Sequence, residues 1–308
     1  MNTTTLAPAI LPASPAPIEI RELSFSYGVK EVLHRVSLVV EAGSVYALLG
    51  RNGAGKSSLI RCLLGHQPAA SGRARLLGMD SWSERARALA RIGVVPEEPD
   101  APPHLDCAAL EAFCADLYPS WDSTAVRRRL ARFGVPLTTA FGELSKGQKS
   151  QALLALALGH SPELLILDDP TLGLDAVARR AVFDELIGEL GERGTTVLFA
   201  SHDMEGIERI ADRVGILAAG RLFVDEPLEE LRQRFRRING SATLEPSDLE
   251  VLAPLLPQGV RTLAWGREIV VTQFDDREFA PLAARLDLAA RAMSLEEIFV
   301  VLVGEDAA

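Results

Sequence analysis

The apolar positions of this chain come in short runs broken by turn residues. "SVYALLG" (44–50) and "LLIL" (164–167) have strand length and turn-forming or acidic flanks, the pattern of strands buried on both faces. "IEIRELSFSY" (18–27) and "HRVSLVVEAG" (34–43) read as strands before the first run. "GRARLLGMD" (72–80) and "RIGVVPE" (91–97) read as two more after it, with a short helix around 84–90 between them. Residues 106–160 have a helical pattern, interrupted near Pro119 and again at "FGVPLTTAFGE". Then "ELLILD", a helix from Asp175, "TTVLFAS", a helix from Met204 and "RVGIL" alternate. Strand–helix alternation with a helical insertion predicts a largely parallel sheet.

A second pattern starts near Arg236. "SATLE", "VRTLAWG" and "EIVVTQF" read as strands, "DREFAPLAARL" and "SLEEIFVVLV" as helices. The expected organisation is a disordered Thr/Pro/Ala-rich tail over 1–17, one large domain over 18–235 with its helical part at about 99–160, and a small α+β domain over 236–308. A length of 308 residues, 48% hydrophobic, suits one large and one small domain. A net charge of −10 argues against a nucleic-acid partner bound through phosphate neutralisation. Cys62, Cys107 and Cys114 have no ligand spacing and are expected to be small buried thiols in a reducing compartment. No stretch approaches the roughly 20 apolar residues that span a bilayer, and the first residues lack the marks of a signal peptide. A soluble, cytoplasmic chain is expected.

Chemistry enters with "GRNGAGKS", Gly50 to Ser57. It fits G-x-x-x-x-G-K-[ST], follows an apolar strand and opens a helix, the context this loop requires. Glycines let backbone N–H groups curl around phosphate oxygens, and the helix N-terminus adds positive potential. Lys56 would reach the β- and γ-phosphates and Ser57 would ligate Mg²⁺. Such a site needs a second acid at a strand end, and Asp168, directly after "LLIL", supplies it. Beside it stands a second carboxylate, Asp169.

"LSKGQ" (Leu144 to Gln148) precedes an apolar helix some twenty residues before the acid pair. With it the chain resembles the ATP-binding subunits of ABC transporters over roughly residues 18–235. "LLILDD" is similar to that family's Walker B segment, "GLD" (Gly173 to Asp175) to its D-loop, His202 to its switch histidine, and Tyr27 to the aromatic that stacks on adenine. "LYPSWD" and "MSLEEIFV" are similar to segments of bacterial ABC-2-type exporter ATPases. The resemblance implies an α/β P-loop NTPase core: a mainly parallel sheet with an N-terminal antiparallel part, a helical signature subdomain and a small C-terminal α+β appendage. It implies ATP and Mg²⁺ as ligands. The implied nucleotide contacts are Tyr27, Gly50, Arg51, Asn52, Gly53, Ala54, Gly55, Lys56, Ser57 and Ser58, with Ser145, Gly147, Gln148 and Asp175 acting across a dimer. Ser57, Glu97 and Asp168 are implied as metal-supporting, and Asp169, His202 and Glu97 as catalytic. Partners are a second copy or a paralogous ATPase subunit, and integral membrane permeases at the cytoplasmic face of the membrane. No nucleic acid is expected.

Three departures bear on the mechanism. Lys146 stands at the signature's first glycine, where an outward-pointing side chain is expected because backbone donors do the binding. Glu97, or Glu98 in the alternative alignment, replaces a glutamine. Asp169 replaces the glutamate general base and is shorter by about 1.5 Å. A misplacement near 1 Å costs roughly a hundredfold in rate. Either the backbone moves in, a second water bridges the gap, or hydrolysis is slow. Two other readings stay open: a slow-hydrolysing regulatory module, and a soluble ATPase acting on ribosomes or DNA. The remaining features have structural readings. "RRR" (127–129) is expected to be a solvated helix face, "RQRFRR" (232–237) a linker helix with Phe235 buried, and Trp82, Trp121 and Trp265 packing residues. His34, His66, His104 and His160 match no ligand spacing.

Overall fold

The computed structural model describes residues 15–240, 260–263, 266–286 and 288–304. The chain opens with β1 (Ile18–Tyr27) and β2 (Lys30–Val40), an antiparallel pair, before the fully buried β3 (Val45–Leu49) and helix α1 (Lys56–Leu63). β4 (Ser71–Leu76) and β5 (Met79–Asp80) complete a four-stranded sheet in the order β2-β1-β4-β5. "GRARLLGMD" is therefore a hairpin, not one strand. Leu77 and Gly78 both have positive φ, 52° and 78°, the geometry of a two-residue turn that matches strand twist.

After α2 (Arg85–Leu89), β6 (Ile92–Val95) leads into the helical insertion: α3 (Cys107–Leu117), α4 (Ser123–Arg132) and α5 (Lys146–Ala157). β7 (Leu164–Asp168), α6 (Ala176–Arg193), β8 (Thr196–Ser201), α7 (Met204–Glu208), β9 (Arg213–Ala218) and β10 (Arg221–Pro227) follow. The second sheet runs β10-β9-β3-β8-β7-β6; five strands are parallel, and β10 joins antiparallel at one edge.

Alternation along the central strands builds two cores. Val45, Ala47 and Leu49 point to the side covered by α5 and α6, as do Leu165, Leu167, Val197 and Phe199. Tyr46, Leu48, Leu164, Ile166, Leu198 and Ala200 point to the antiparallel sheet. Burial on both faces explains why these strands read as continuous apolar runs.

The rest of the described chain begins with α8 (Leu228–Arg234), which ends in fully buried Phe235. β11 (Arg236–Gly240), β12 (Val260–Leu263), β13 (Gly266–Val271) and β14 (Leu288–Ala292) form an antiparallel sheet ordered β12-β13-β11-β14. α9 (Asp276–Leu286) and α10 (Leu295–Val303) accompany it. "SATLE" and most of the 1–17 tail lie outside the described residues, as does Trp265. Met293, Leu295, Ile298 and Val303 join the same apolar cluster as the central sheet, and the Leu295 N–H donates to the Glu208 carboxylate. The last helix is thus packed on the large unit.

Two expectations are corrected. Trp82 is exposed, in a turn held by Asp80 Oδ1, which accepts from the N–H groups of Trp82 (3.2 Å) and Ser83 (2.9 Å). Arg129 is not on a solvated face. It shares the buried side of α4 with Ala125, Val126 and Leu130, and its Nε donates to Glu185 at 2.6 Å while Nη2 donates to Glu189. Those two carboxylates compensate the desolvation that makes a buried guanidinium costly.

Candidate nucleotide site

The parallel strands deliver their carboxyl ends to one rim, where open α/β sheets bind ligands. From that rim come Gly50 after β3, Glu97 after β6, Asp168 and Asp169 at the end of β7, and His202 after β8. The glycine-rich turn between β3 and α1 is tight: Ala54 N–H donates to Arg51 O at 3.0 Å, and Gly55 caps the helix with φ 110°. A Cβ at Gly55 would lie 2.8 Å from Leu33 Cδ2, so both space and φ require glycine. No side chain caps α1, which leaves its first N–H groups pointing at the rim. Lys56 is buried beside them, its ammonium donating to Gly50 O at 2.8 Å.

The Ser57 hydroxyl lies beside Asp168 and 3.5 Å from Glu97 Oε2. Asp168 is buried, and its Oδ1 has no hydrogen-bond partner. Burial pushes its carboxyl up to about 6; Glu97 and Asp169 add to the rise, while the Ser57 hydroxyl and Lys56 oppose it. A nearby cation would favour the ionised form of a carboxyl so placed. The donors are hard oxygens, two carboxylates and a hydroxyl, which suits a divalent ion whose remaining positions are filled by phosphate and water. Among the described residues no cluster of three or more His, Cys, Asp or Glu could hold a metal ion.

Asp169 has φ 46°, outside the usual range for a residue with a Cβ. Its backbone N–H donates to Ala200 O at 2.7 Å. Its Oδ1 accepts from His202 N–H at 3.2 Å and lies 2.8 Å from His202 Nδ1. The acid and the histidine form one pair, with the imidazole half exposed and the carboxylate buried.

A cleft of about 590 Å³ opens in front of this rim, lined by Gly50, Arg51, Asn52, Glu97, Asp169 and His202. It is not lined by Ser145, Gly147 or Gln148. Those sit at the N-terminus of α5, where Ser145 and Gln148 form a reciprocal cap, Gln148 N–H to Ser145 Oγ at 3.2 Å and Ser145 N–H to Gln148 Oε1 at 3.0 Å. Gly147 packs on its own chain's D-loop, where an added Cβ would meet Leu174 Cδ2 at 2.7 Å. Lys146 is exposed. Asp175 caps α6 by accepting from Ala178 N–H at 2.8 Å. Tyr27 ends β1, half-exposed against Phe25, and accepts from Arg61 at 3.2 Å; it does not line the cleft.

Five lining residues were not anticipated: Leu172 and Met204, and, from α10, Glu296, Phe299 and Val300. Nothing local in "MSLEEIFV" points to the cleft. The contact joins residues about 250 positions apart, as does the 3.4 Å hydrogen bond from Arg51 Nη1 to Gly304 O.

A glycine-rich loop on a helix N-terminus, with an acid pair and a histidine at adjacent strand ends, defines a P-loop nucleotide-binding protein. Residues 33–172 match the family described as ABC transporter. The ABC transporter ATP-binding protein YtrB of Bacillus subtilis (strain 168) is 34% identical over 72% of this chain and 75% of its own length. The Nod factor export ATP-binding protein I of Rhizobium johnstonii is 31% identical over 95% of this chain and 96% of its own length. A solved ATP-binding subunit of an ABC transporter superposes with a TM-score of 0.64 at 27% identity, covering 70% of this chain and 92% of that one. This chain belongs to the ATP-binding proteins of ABC transporters.

Proposed function

We propose that this chain hydrolyses Mg-ATP within a dimer of two copies and so drives export through separate membrane-spanning subunits, on the cytoplasmic face of the membrane. The observation that carries the reading is the separation of the phosphate loop from a second, capped helix end. Gly50, Arg51 and Asn52 of the loop that leads into α1 line the cleft, while the capped α5 N-terminus, Ser145 to Gln148, does not. A second copy placed head to tail brings its α5 donors to the open side of the cleft. ATP is then held between two helix N-termini.

In this arrangement Lys56 and the loop N–H groups bind the β- and γ-phosphates. Ser57, Asp168 and Glu97 hold Mg²⁺, which supplies charge neutralisation on the triphosphate. Asp169 orients and deprotonates the attacking water, with His202 fixing the carboxylate at 2.8 Å. Tyr27 is the adenine platform. Residues 18–235 act as the ATPase unit and 236–308 as an accessory unit.

A membrane partner is supported by an apolar groove of about 530 Å³ between the helical insertion and the core, lined in part by Leu105, Phe113, Trp121 and Leu153. Phe113, 61% exposed, and Leu117, 59% exposed, extend its apolar rim. No helix among the described residues is long and apolar enough to cross a membrane. Export is supported by the Nod factor export relative and its near-complete coverage.

The test has two parts. Purified protein is expected to hydrolyse Mg-ATP, and an Asp169→Asn variant to form dimers in sedimentation only when Mg-ATP is present. A parent without turnover and a variant with no ATP-dependent change in mass would overturn the reading.

A further inference from the structure

α10 has two sides. Leu295, Ile298 and Val303 are buried in the core cluster, and its start is fixed by a reciprocal cap between Ser294 and Glu297, with bonds of 3.2 and 2.9 Å. Its other side, Glu296, Phe299 and Val300, forms a wall of the nucleotide cleft. At the helix end, Gly304 O accepts from Arg51 of the phosphate loop. The helix therefore runs along the rim from the His202 end to the Arg51 end.

An apolar rim has no evident use in recognising a triphosphate. Val300 is 52% exposed there. An exposed apolar residue in a cleft wall suits a protein partner. The proposed second copy must cross this rim to bring its α5 N-terminus to the cleft. The leading end of that helix is unusual in charge. "SKGQK" carries Lys146, exposed, and Lys149. The rim it meets carries Glu296, exposed and on the cleft side.

Resting on the two-copy reading, we infer that α10 is part of the interface between copies, and that Lys146 of one copy pairs with Glu296 of the other. This accounts together for an exposed lysine at the leading end of α5 and for a C-terminal helix laid along the phosphate loop. It makes the last helix a contributor to the closed site. By two-fold symmetry each dimer holds two such pairs, so any change in pairing energy counts twice. A rim ion pair is weak, but reversing one partner turns attraction into repulsion.

The experiment uses full-length protein carrying Asp169→Asn, with Mg-ATP, and reads the dimer dissociation constant by sedimentation. Lys146→Glu and Glu296→Lys are each expected to weaken the dimer by about tenfold. The double reversal is expected to restore it to within about threefold of the parent. All four proteins should keep the parent's melting temperature, since both side chains are exposed. A parent that stays monomeric with Mg-ATP overturns the two-copy reading and this inference with it. A parent that dimerises while the single reversals have no effect, or while the double reversal fails to recover, overturns this inference alone. So does a tighter dimer from Glu296→Lys, which would make α10 a barrier.

Discussion

Asp169 concentrates the chemical question in one residue. A carboxylate one methylene shorter than glutamate loses about 1.5 Å of reach. Asp169 Oδ1 is engaged by His202 through both the ring and the backbone N–H. The backbone reaches that geometry at φ 46°, held by the bond to Ala200 O. Asp169→Asn removes the proposed base but keeps a side chain of the same shape. It is expected to lower kcat by at least about tenfold to a hundredfold while ATP affinity stays near normal, because the lost interaction is made in the transition state. Asp169→Glu is expected to raise single-turnover hydrolysis severalfold, since the longer chain extends past His202 into the cleft. A Glu variant as slow as the Asn variant would refute the reach argument. Asp168→Asn should act differently. It replaces an orphaned, buried carboxylate beside Ser57, so Mg²⁺-dependent ATP affinity is expected to fall while Mg²⁺-free binding changes little. Titrating nucleotide with and without Mg²⁺ separates the two effects.

At the scale of elements, the Arg129 cluster joins the helical insertion to the helix that follows the D-loop. Arg129 on α4 reaches Glu185 and Glu189, one turn apart on α6. Arg132 adds a bond to Glu185 at 2.9 Å, and Arg193 lies 3.5 Å from Glu189. Arg129→Ala strands two buried carboxylates, though each keeps one outer arginine. A loss of about 3 kcal/mol is expected, and a melting temperature lower by about 5–10 °C. Arg128→Ala, on the exposed face, should stay within about 0.5 kcal/mol of wild type. Calorimetry on the two variants distinguishes a buried clamp from a solvated face. The "RRR" run hid this because charge alone cannot separate the three positions. Helical spacing can, since Arg129 shares its face with Val126 and Leu130. Legibility elsewhere followed burial. Strands β3, β7 and β8 are buried along their whole length and were plain as apolar runs. β10, β11 and β14 were missed, because edge and appendage strands lack such runs. Of β14, "LAARA", only Leu288 is buried. The residues of the phosphate loop were legible because loop, helix start and preceding strand are contiguous. The α10 wall was not, because its approach to Arg51 depends on tertiary packing alone.

For the whole molecule, the nucleotide cleft and the apolar groove are separate surfaces. The cleft is lined by strand ends and α10, the groove by α3, α5 and the loop after Glu97. That loop, "PDAPPHLD", begins two residues beyond a proposed Mg²⁺ contact and contributes Asp100, Ala101, Pro102 and Leu105 to the groove. On the proposed reading, a change in how Glu97 engages nucleotide would pass along this short, proline-rich segment to the groove. The groove's lining includes His160, stacked on Tyr118 at 4.3 Å, with its pKa lowered by burial. If this surface docks a membrane subunit, its exposed rim carries the binding energy and the cleft carries the catalysis. Introducing two charges on the rim, Phe113→Glu with Leu117→Glu, replaces apolar contact by desolvated carboxylates. The double variant is expected to leave the membrane fraction of its native host for the soluble fraction, while the purified protein's basal Mg-ATP turnover stays within about twofold of wild type. Fractionation followed by immunoblotting, paired with a phosphate-release assay, measures both. Unchanged membrane association would exclude the groove as the docking surface. A collapse of basal turnover would show that the helical insertion and the cleft are coupled even without a partner.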